Sequence, residues 1–182
     1  PLHRVNNDDL RSRLIVVPQE PFLFANSIAY NLRFASPNAT DDQLRSVFSD
    51  LEIDDWLDSL PQGIHTNVGQ RGGSLSAGER QLIALARAAV VRPDVLILDE
   101  ATSSVDALTE VRISKALTKL AQGRTTVSIA HRLSTAARAD RVILLERGRI
   151  VEDGSHHQLI AAQGPYAKQY ETWVTSTQSN LD

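Results

Sequence analysis

The chain has 182 residues, an apolar share of 42%, a charged share of 23% and a formal net charge of −3. That size suits one domain, or one domain with a sub-domain, and the charges are spread so that no basic tract points to nucleic acid. No apolar run reaches the roughly 20 residues that span a bilayer, no signal peptide opens the chain, and zero cysteine rules out disulfides and thiolate metal sites. There is no methionine, and the first residues are Pro1-Leu2-His3. The expectation is a C-terminal fragment produced by processing or truncation.

In chain order, Leu14-Ile15-Val16-Val17 is a short apolar run stopped by Pro18, a strand. The stretch 26–60 reads as a helical insert, with a capping box at Thr40-Asp41-Asp42-Gln43 and a second short helix over 54–60. Ser76-Ala77-Gly78-Glu79 is another capping box, followed at helical spacing by Leu82, Leu85, Ala86, Ala89 and Val90, and Pro93 ends that helix. Val95 to Leu98 is continuously apolar, which predicts a strand covered on both faces. Asp106 caps the next helix, with Ile113, Leu117, Leu120 and Ala121 on one stripe and Gly123 closing it. A strand over 125–130 and a short helix near Ser134 follow. Val142–Leu145 and Arg149–Val151 flank a turn and predict a hairpin. Ser155-His156-His157-Gln158 is a third capping box, a last helix follows Pro165, and the Ser/Thr/Gln/Asn-rich end frays. Strands alternating with helices predict an α/β core carrying a helical sub-domain.

Ligands of open α/β sheets collect at the carboxyl ends of the strands. Asp99-Glu100 and His131 each stand directly after an apolar strand run. Asp99 suits an oxygen-ligated Mg²⁺, and Glu100 suits general-base work on a water; the other reading is an acidic pair that caps the following loop. Ser76 and Gly78 open a helix at which a phosphate can sit, or Ser76 only caps that helix. Gln19 taken alone faces solvent. His156 and His157 are adjacent on a helix, point in different directions and make a poor chelating pair.

Leu75-Ser76-Ala77-Gly78-Glu79-Arg80-Gln81 followed by Val95-Leu96-Ile97-Leu98-Asp99-Glu100 resembles the signature and Walker B motifs of an ABC-type ATPase. Asp99 to Asp106 looks like Walker B running into the D-loop. Val17 to Ile28 is similar to the Q-loop of exporter-type ABC proteins, Thr66 to Gly72 to their X-loop, and Ser128 to Ser134 to the segment of the switch histidine. The resemblance implies ATP and Mg²⁺ as ligands, with Asp99 and Gln19 at the metal. It makes Glu100 the base and His131 a γ-phosphate contact. Ser76, Gly78, Glu79 and Asp106 then serve the nucleotide of the opposite subunit. The family's Leu-Ser-Gly-Gly-Gln is here Leu-Ser-Ala-Gly-Glu, so Glu79 places a carboxylate near an anion. Two X-loop glutamates are replaced by Asn67 and Gln70. Phe22-Leu23-Phe24 either faces the coupling helices of a membrane domain or is ordinary core. The three lysines, Lys115, Lys119 and Lys168, do not follow a glycine, so the Walker A P-loop is not in this chain.

The reading that results is a P-loop NTPase-like ABC ATPase core without its N-terminal strands and P-loop. About 26–92 forms the helical sub-domain with the signature motif, and about 93–182 carries Walker B, D-loop, H-loop and C-terminal elements. The resemblance implies ATP hydrolysis powering export at the cytoplasmic face of the plasma membrane. Its partners are a second nucleotide-binding domain and a transmembrane domain of the same polypeptide, with no nucleic acid; the fragment alone is expected to be inactive. The rival readings are a soluble ABC-type ATPase of DNA repair or translation, and a non-catalytic interaction module that keeps the fold.

Overall fold

Asn6 caps the first helix, α1 (Asn7–Arg13), by accepting the Asp8 N–H on its side chain. Asp8 and Asp9 lie in its first turn and Arg11 and Arg13 in its last, as the helix dipole favours. No residue of α1 is buried, so it leaves no apolar periodicity in the sequence. The computed structural model describes residues 4–99, 105–130 and 133–178. They divide into two units, Pro1–Ile129 and Ala130–Asp182.

In the first unit, β1 (Leu14–Val17) leads to α2 (Ile28–Arg33), α3 (Asp41–Asp50) and α4 (Asp54–Ser59). The Thr40 capping box is formed in full: Thr40 accepts the Gln43 N–H, and Gln43 accepts the Thr40 N–H at 2.9 Å. α5 (Ala77–Val91) begins on the Ser76 box and ends at Arg92, which turns left-handed at φ 53° before Pro93. Leu82, Ile83, Ala84, Leu85, Ala86 and Ala88 are all buried. That is more than the single stripe the spacing predicts, because α2, α3, α6 and β1 pack around this helix.

The strands β2 (Val95–Asp99) and β3 (Thr125–Ile129), with α6 (Ala107–Ala121) between them, complete a parallel sheet in the order β1-β2-β3. Val17 pairs with Leu98, and Asp99 with Ile129, so all three strands end at one edge. Leu96 is buried, and Ile15 and Leu98 pack on the core. On the opposite face Val16 is 55% exposed and Val127 52%. The expectation of cover on both faces of β2 is met only in part among the described residues: Leu96 is buried, and Val95, Ile97 and Leu98 are half-buried.

Asn31 is the most consequential polar residue of this core. It is fully buried, and its amide accepts the Phe24 N–H at 2.8 Å and donates to the Phe24 and Ser27 carbonyls, each at 3.0 Å. Arg87 of α5 donates to the Asn31 side-chain oxygen, the Asn31 carbonyl and the Phe22 carbonyl. Burial pushes the pKa of Arg87 below its ordinary value, and neutral acceptors compensate part of that desolvation. Together the two side chains pin the segment after β1 to the helical layer.

The second unit comprises α7 (Leu133–Ala137), β4 (Val142–Glu146), β5 (Arg149–Gly154), α8 (His156–Ala161) and α9 (Pro165–Gln178). The two strands form the expected antiparallel hairpin, and Arg147 and Gly148 both take positive φ, as a two-residue turn requires. Its core gathers Ala136, Leu159 and Tyr166. His156 Nδ1 is hydrogen-bonded to the Tyr166 hydroxyl at 2.9 Å, which gives that histidine a structural partner.

Replacing Asn31 with leucine should strip partners from two half-buried backbone groups of Phe24 and from Arg87. A loss of about 3 kcal/mol or more in urea unfolding is expected; a loss below about 1 kcal/mol contradicts this account of the segment.

Candidate functional site

Two groups of sequence-predicted residues are resolved, and they occupy different places in the first unit. Gln19 follows β1 by two residues, and Asp99 closes the neighbouring strand β2. Parallel pairing puts both at the carboxyl edge of the sheet, where the central strand carries the acidic residue. Gln19 is exposed and Asp99 half-buried, so both are reachable by a ligand. Glu100 and His131 lie outside the described residues, as does the stretch 101–104.

The second group surrounds the first turn of α5. The Ser76 hydroxyl accepts the Glu79 N–H at 3.2 Å, and one Glu79 carboxylate oxygen accepts the Ser76 N–H at 2.7 Å. The other oxygen accepts the indole N–H of Trp56 at 3.1 Å. Burial works to raise the Glu79 pKa. The Ser76 N–H, the Trp56 indole and the Ser76 hydroxyl outweigh it and hold the carboxyl below its ordinary value, against the opposing charge of Asp106. Both carboxylate oxygens thus have partners within the protein. The N–H groups of Ala77 and Gly78 lie in the first turn, where a helix offers them no carbonyl.

Gly78 brings this turn against α6. A Cβ at that position would come within 2.4 Å of Thr109 Cγ2 and 2.7 Å of Val105 Cγ1. Asp106 sits between those two residues, and its carboxylate accepts the Thr109 N–H at 3.0 Å as the N-cap of α6. This bond comes first among the causes that lower its pKa. Ser76, Gly78, Glu79 and Asp106 are therefore parts of one packed corner. Arg80 fixes the approach to it by donating to the Leu75 carbonyl at 2.8 Å.

The loop segments are also joined. Val68 N–H donates to the Asn26 carbonyl at 3.0 Å and Ile28 N–H to the Thr66 carbonyl at 3.1 Å, a bridge that pairs Ser27 with Asn67. The Asn67 side chain accepts the Gly69 N–H at 2.8 Å, within its own loop. Leu23 is fully buried, whereas Phe22 is 58% exposed and stacks edge-on against Phe24 at 5.1 Å. The triplet is thus divided between core and surface. Val17, Pro18, Pro21, Phe22, Ala35 and Arg87 line a groove of 190 Å³.

A family model described as "ABC transporter" matches residues 1–103, more than half of the chain. The chain belongs to the ABC transporter family. It is 46% identical over 178 residues to an uncharacterized ABC transporter ATP-binding protein, YknV, of Bacillus subtilis, which covers 96% of this chain and 30% of that protein. It is also 46% identical over 171 residues to an ATP-dependent lipid A-core flippase of Bordetella avium, covering 93% of this chain and 29% of that one. Among solved structures, a bacterial Atm1-family ABC exporter with ATP bound superposes with a TM-score of 0.82 at 40% identity, over 92% of this chain and 29% of that chain. The chain spans about a third or less of the length of these relatives. The fold is accordingly the α/β ABC ATPase fold that the motifs imply.

Trp56, Arg80 and Arg87 escaped the sequence reading. Trp56 lies 23 residues before Glu79, beyond the reach of any local pattern. The capping box was legible, but the third partner of its carboxylate was not.

Gly78→Ala should destabilise the chain by about 1–3 kcal/mol through overpacking, and adding Thr109→Ser, which deletes the clashing methyl, should restore part of the loss. A non-additive double-mutant cycle in thermal unfolding checks this; simple additivity contradicts the contact. Because the Glu79 carboxyl is depressed on folding, its stabilisation is complete above the unfolded value and is lost as pH falls through the lower folded value. Below about pH 4.3 the wild-type melting temperature should therefore fall more steeply than that of Glu79→Gln.

Proposed function

We propose that the chain is the C-terminal part of the nucleotide-binding domain of an ABC exporter. The full-length protein then hydrolyses ATP at a head-to-tail dimer interface and couples hydrolysis to export of a solute. The observation that carries this reading is the pairing of Asp99 at the carboxyl edge of a parallel sheet with a capped first turn of α5 fastened to the Asp106 corner. Family membership and 40% identity to an exporter with ATP bound support it.

The donor sets fit the implied ligands. Asp99 and Gln19 offer oxygen atoms at one exposed edge, the donor type that Mg²⁺ prefers. The Ser76 hydroxyl and the first-turn N–H groups of Ala77 and Gly78 suit a phosphate oxygen. When bound, Mg²⁺ and ATP supply the charge neutralisation and the phosphoryl group to be transferred. Asp99 and Gln19 would hold the metal, Glu100 would accept a proton from the attacking water, and His131 would orient the γ-phosphate. Ser76 and Gly78 would close on the nucleotide of a second subunit, with Asp106 as their support.

The groove beside Phe22 and Arg87 is where a transmembrane domain would dock. The exposed ring of Phe22 lines it, and the Ser27–Asn67 bridge connects that segment to the loop before Ser76. Docking there would be felt at the signature turn through backbone hydrogen bonds. Such an assembly sits at the cytoplasmic face of the membrane.

In the purified full-length protein, Glu100→Gln should lower Mg²⁺-dependent ATP hydrolysis by about a hundredfold or more while ATP still drives dimerisation in size-exclusion chromatography. Wild-type turnover in that variant sinks the assignment. The 182-residue chain alone should bind ATP weakly and not turn it over, since none of its lysines follows a glycine; titration calorimetry and a phosphate-release assay check this.

A further inference from the structure

Trp56 presents a buried aromatic side chain with one polar atom. The residue is 3% exposed on α4, and its ring packs against Phe48 with centroids 6.1 Å apart. A buried indole N–H needs an acceptor, and here it is Glu79, 23 residues away. The carboxylate that takes the indole proton is the same one whose other oxygen holds the Ser76 N–H. A chain of contacts therefore runs from α4 through one carboxylate into the helix start that is proposed to meet a phosphate.

That arrangement answers a specific electrostatic difficulty. A carboxylate at a helix N-terminus competes with an incoming phosphate for the same N–H donors and repels it. Asp106 adds a second negative charge at this corner. A carboxylate fastened at both oxygens stays on the cap, which leaves the exposed Ser76 and Ala77 at the helix start to an incoming ligand. Trp56 supplies the outer fastening with a neutral donor, and only its indole nitrogen can do so.

We infer that Trp56 is a positioning residue of the signature turn: its indole N–H holds the Glu79 carboxylate on the Ser76 cap and away from the nucleotide phosphate. This rests on the proposed role of Ser76 at a nucleotide. The pair has a distinctive reciprocity. Glutamine at 79 has one acceptor oxygen, which the Ser76 N–H takes, so its amide N–H₂ would face the indole N–H donor to donor. Trp56→Phe leaves one carboxylate oxygen without its partner. The double variant, with phenylalanine facing a glutamine, has no donor-to-donor clash and no repelling charge, but it has no outer fastening either.

The test has two arms. In the 182-residue chain, amide hydrogen exchange at Ser76 is followed by NMR in wild type, Trp56→Phe, Glu79→Gln and the double variant, with far-UV circular dichroism as the check on folding. Each single variant should exchange about fivefold faster at Ser76 while Leu85, deep in α5, is unchanged, and the double variant should exchange no faster than the faster single variant. In the full-length protein, the ATP concentration for half-maximal hydrolysis should rise severalfold in Trp56→Phe, and Glu79→Gln, which removes the repelling charge, should cancel that rise in the double variant.

Unchanged Ser76 exchange in Trp56→Phe, or single effects that simply multiply in the double, overturns the inference. So does a wild-type ATP response in Trp56→Phe when Ser76→Ala raises the ATP requirement. A wild-type ATP response in Ser76→Ala itself removes the functional reading, and the inference falls with it even if the exchange arm succeeds.

Discussion

The close approach of α5 to the start of α6 is the constraint on which the rest of this structure turns. Gly78 has no room for a methyl group between Thr109 and Val105, so the two helix starts meet backbone to side chain. Ser76 caps one helix and Asp106 the other. Any rotation of α5 about its axis would break the contact, and any lateral shift of α6 would move Asp106 with it. Since α5 packs on both α6 and β1, and β1 pairs with β2, the signature turn is referenced to the sheet that carries Asp99. Two sets of chemical groups acquire a fixed relation without sharing a pocket.

Around that corner the structure uses hydrogen bonds where apolar packing cannot give direction. Asn31 and Arg87 hold the segment after β1 against α5 through backbone carbonyls. The Ser27–Asn67 bridge ties the same segment to the loop that leads into Ser76. Each link is a directed bond between elements distant in sequence. Neutral donors and acceptors predominate, which avoids burying opposed charges at several kcal/mol each. The ion pairs made by α6, Arg112 with Asp55 of α4 and Lys119 with Glu52 in the turn before α4, lie on the surface, where such pairs contribute little.

Much of this was legible in the sequence because its signals are local. A capping box is a four-residue pattern, and the ones at Thr40, Ser76 and Ser155 all formed as written. Strand runs bounded by proline, glycine or acidic residues fell where expected, and so did the hairpin. The misses share the opposite property. α1 buries nothing and so has no periodicity to read. The partial cover of β2 depends on how many layers surround it, which four apolar letters cannot specify. Gly78 reads as freedom for a ligand to approach, yet its observed neighbours are side chains of the same protein. The acid at Glu79 reads as an obstacle to an anion until Trp56 is seen to hold it.

We propose that Ser76 and Asp99-Glu100 belong to halves of two different nucleotide sites, completed by a second copy or a related subunit. The most direct measurement uses mixed dimers of the full-length protein that combine a Ser76→Asp protomer with a Glu100→Gln protomer. Aspartate still caps α5 but repels phosphate, so each variant should be inactive by itself. If the halves act across the interface, both lesions in a mixed dimer fall in one site and the other site is intact. Random pairing of equal amounts should then restore about a quarter of wild-type hydrolysis. Mixtures that remain as inactive as either variant alone would contradict the claim.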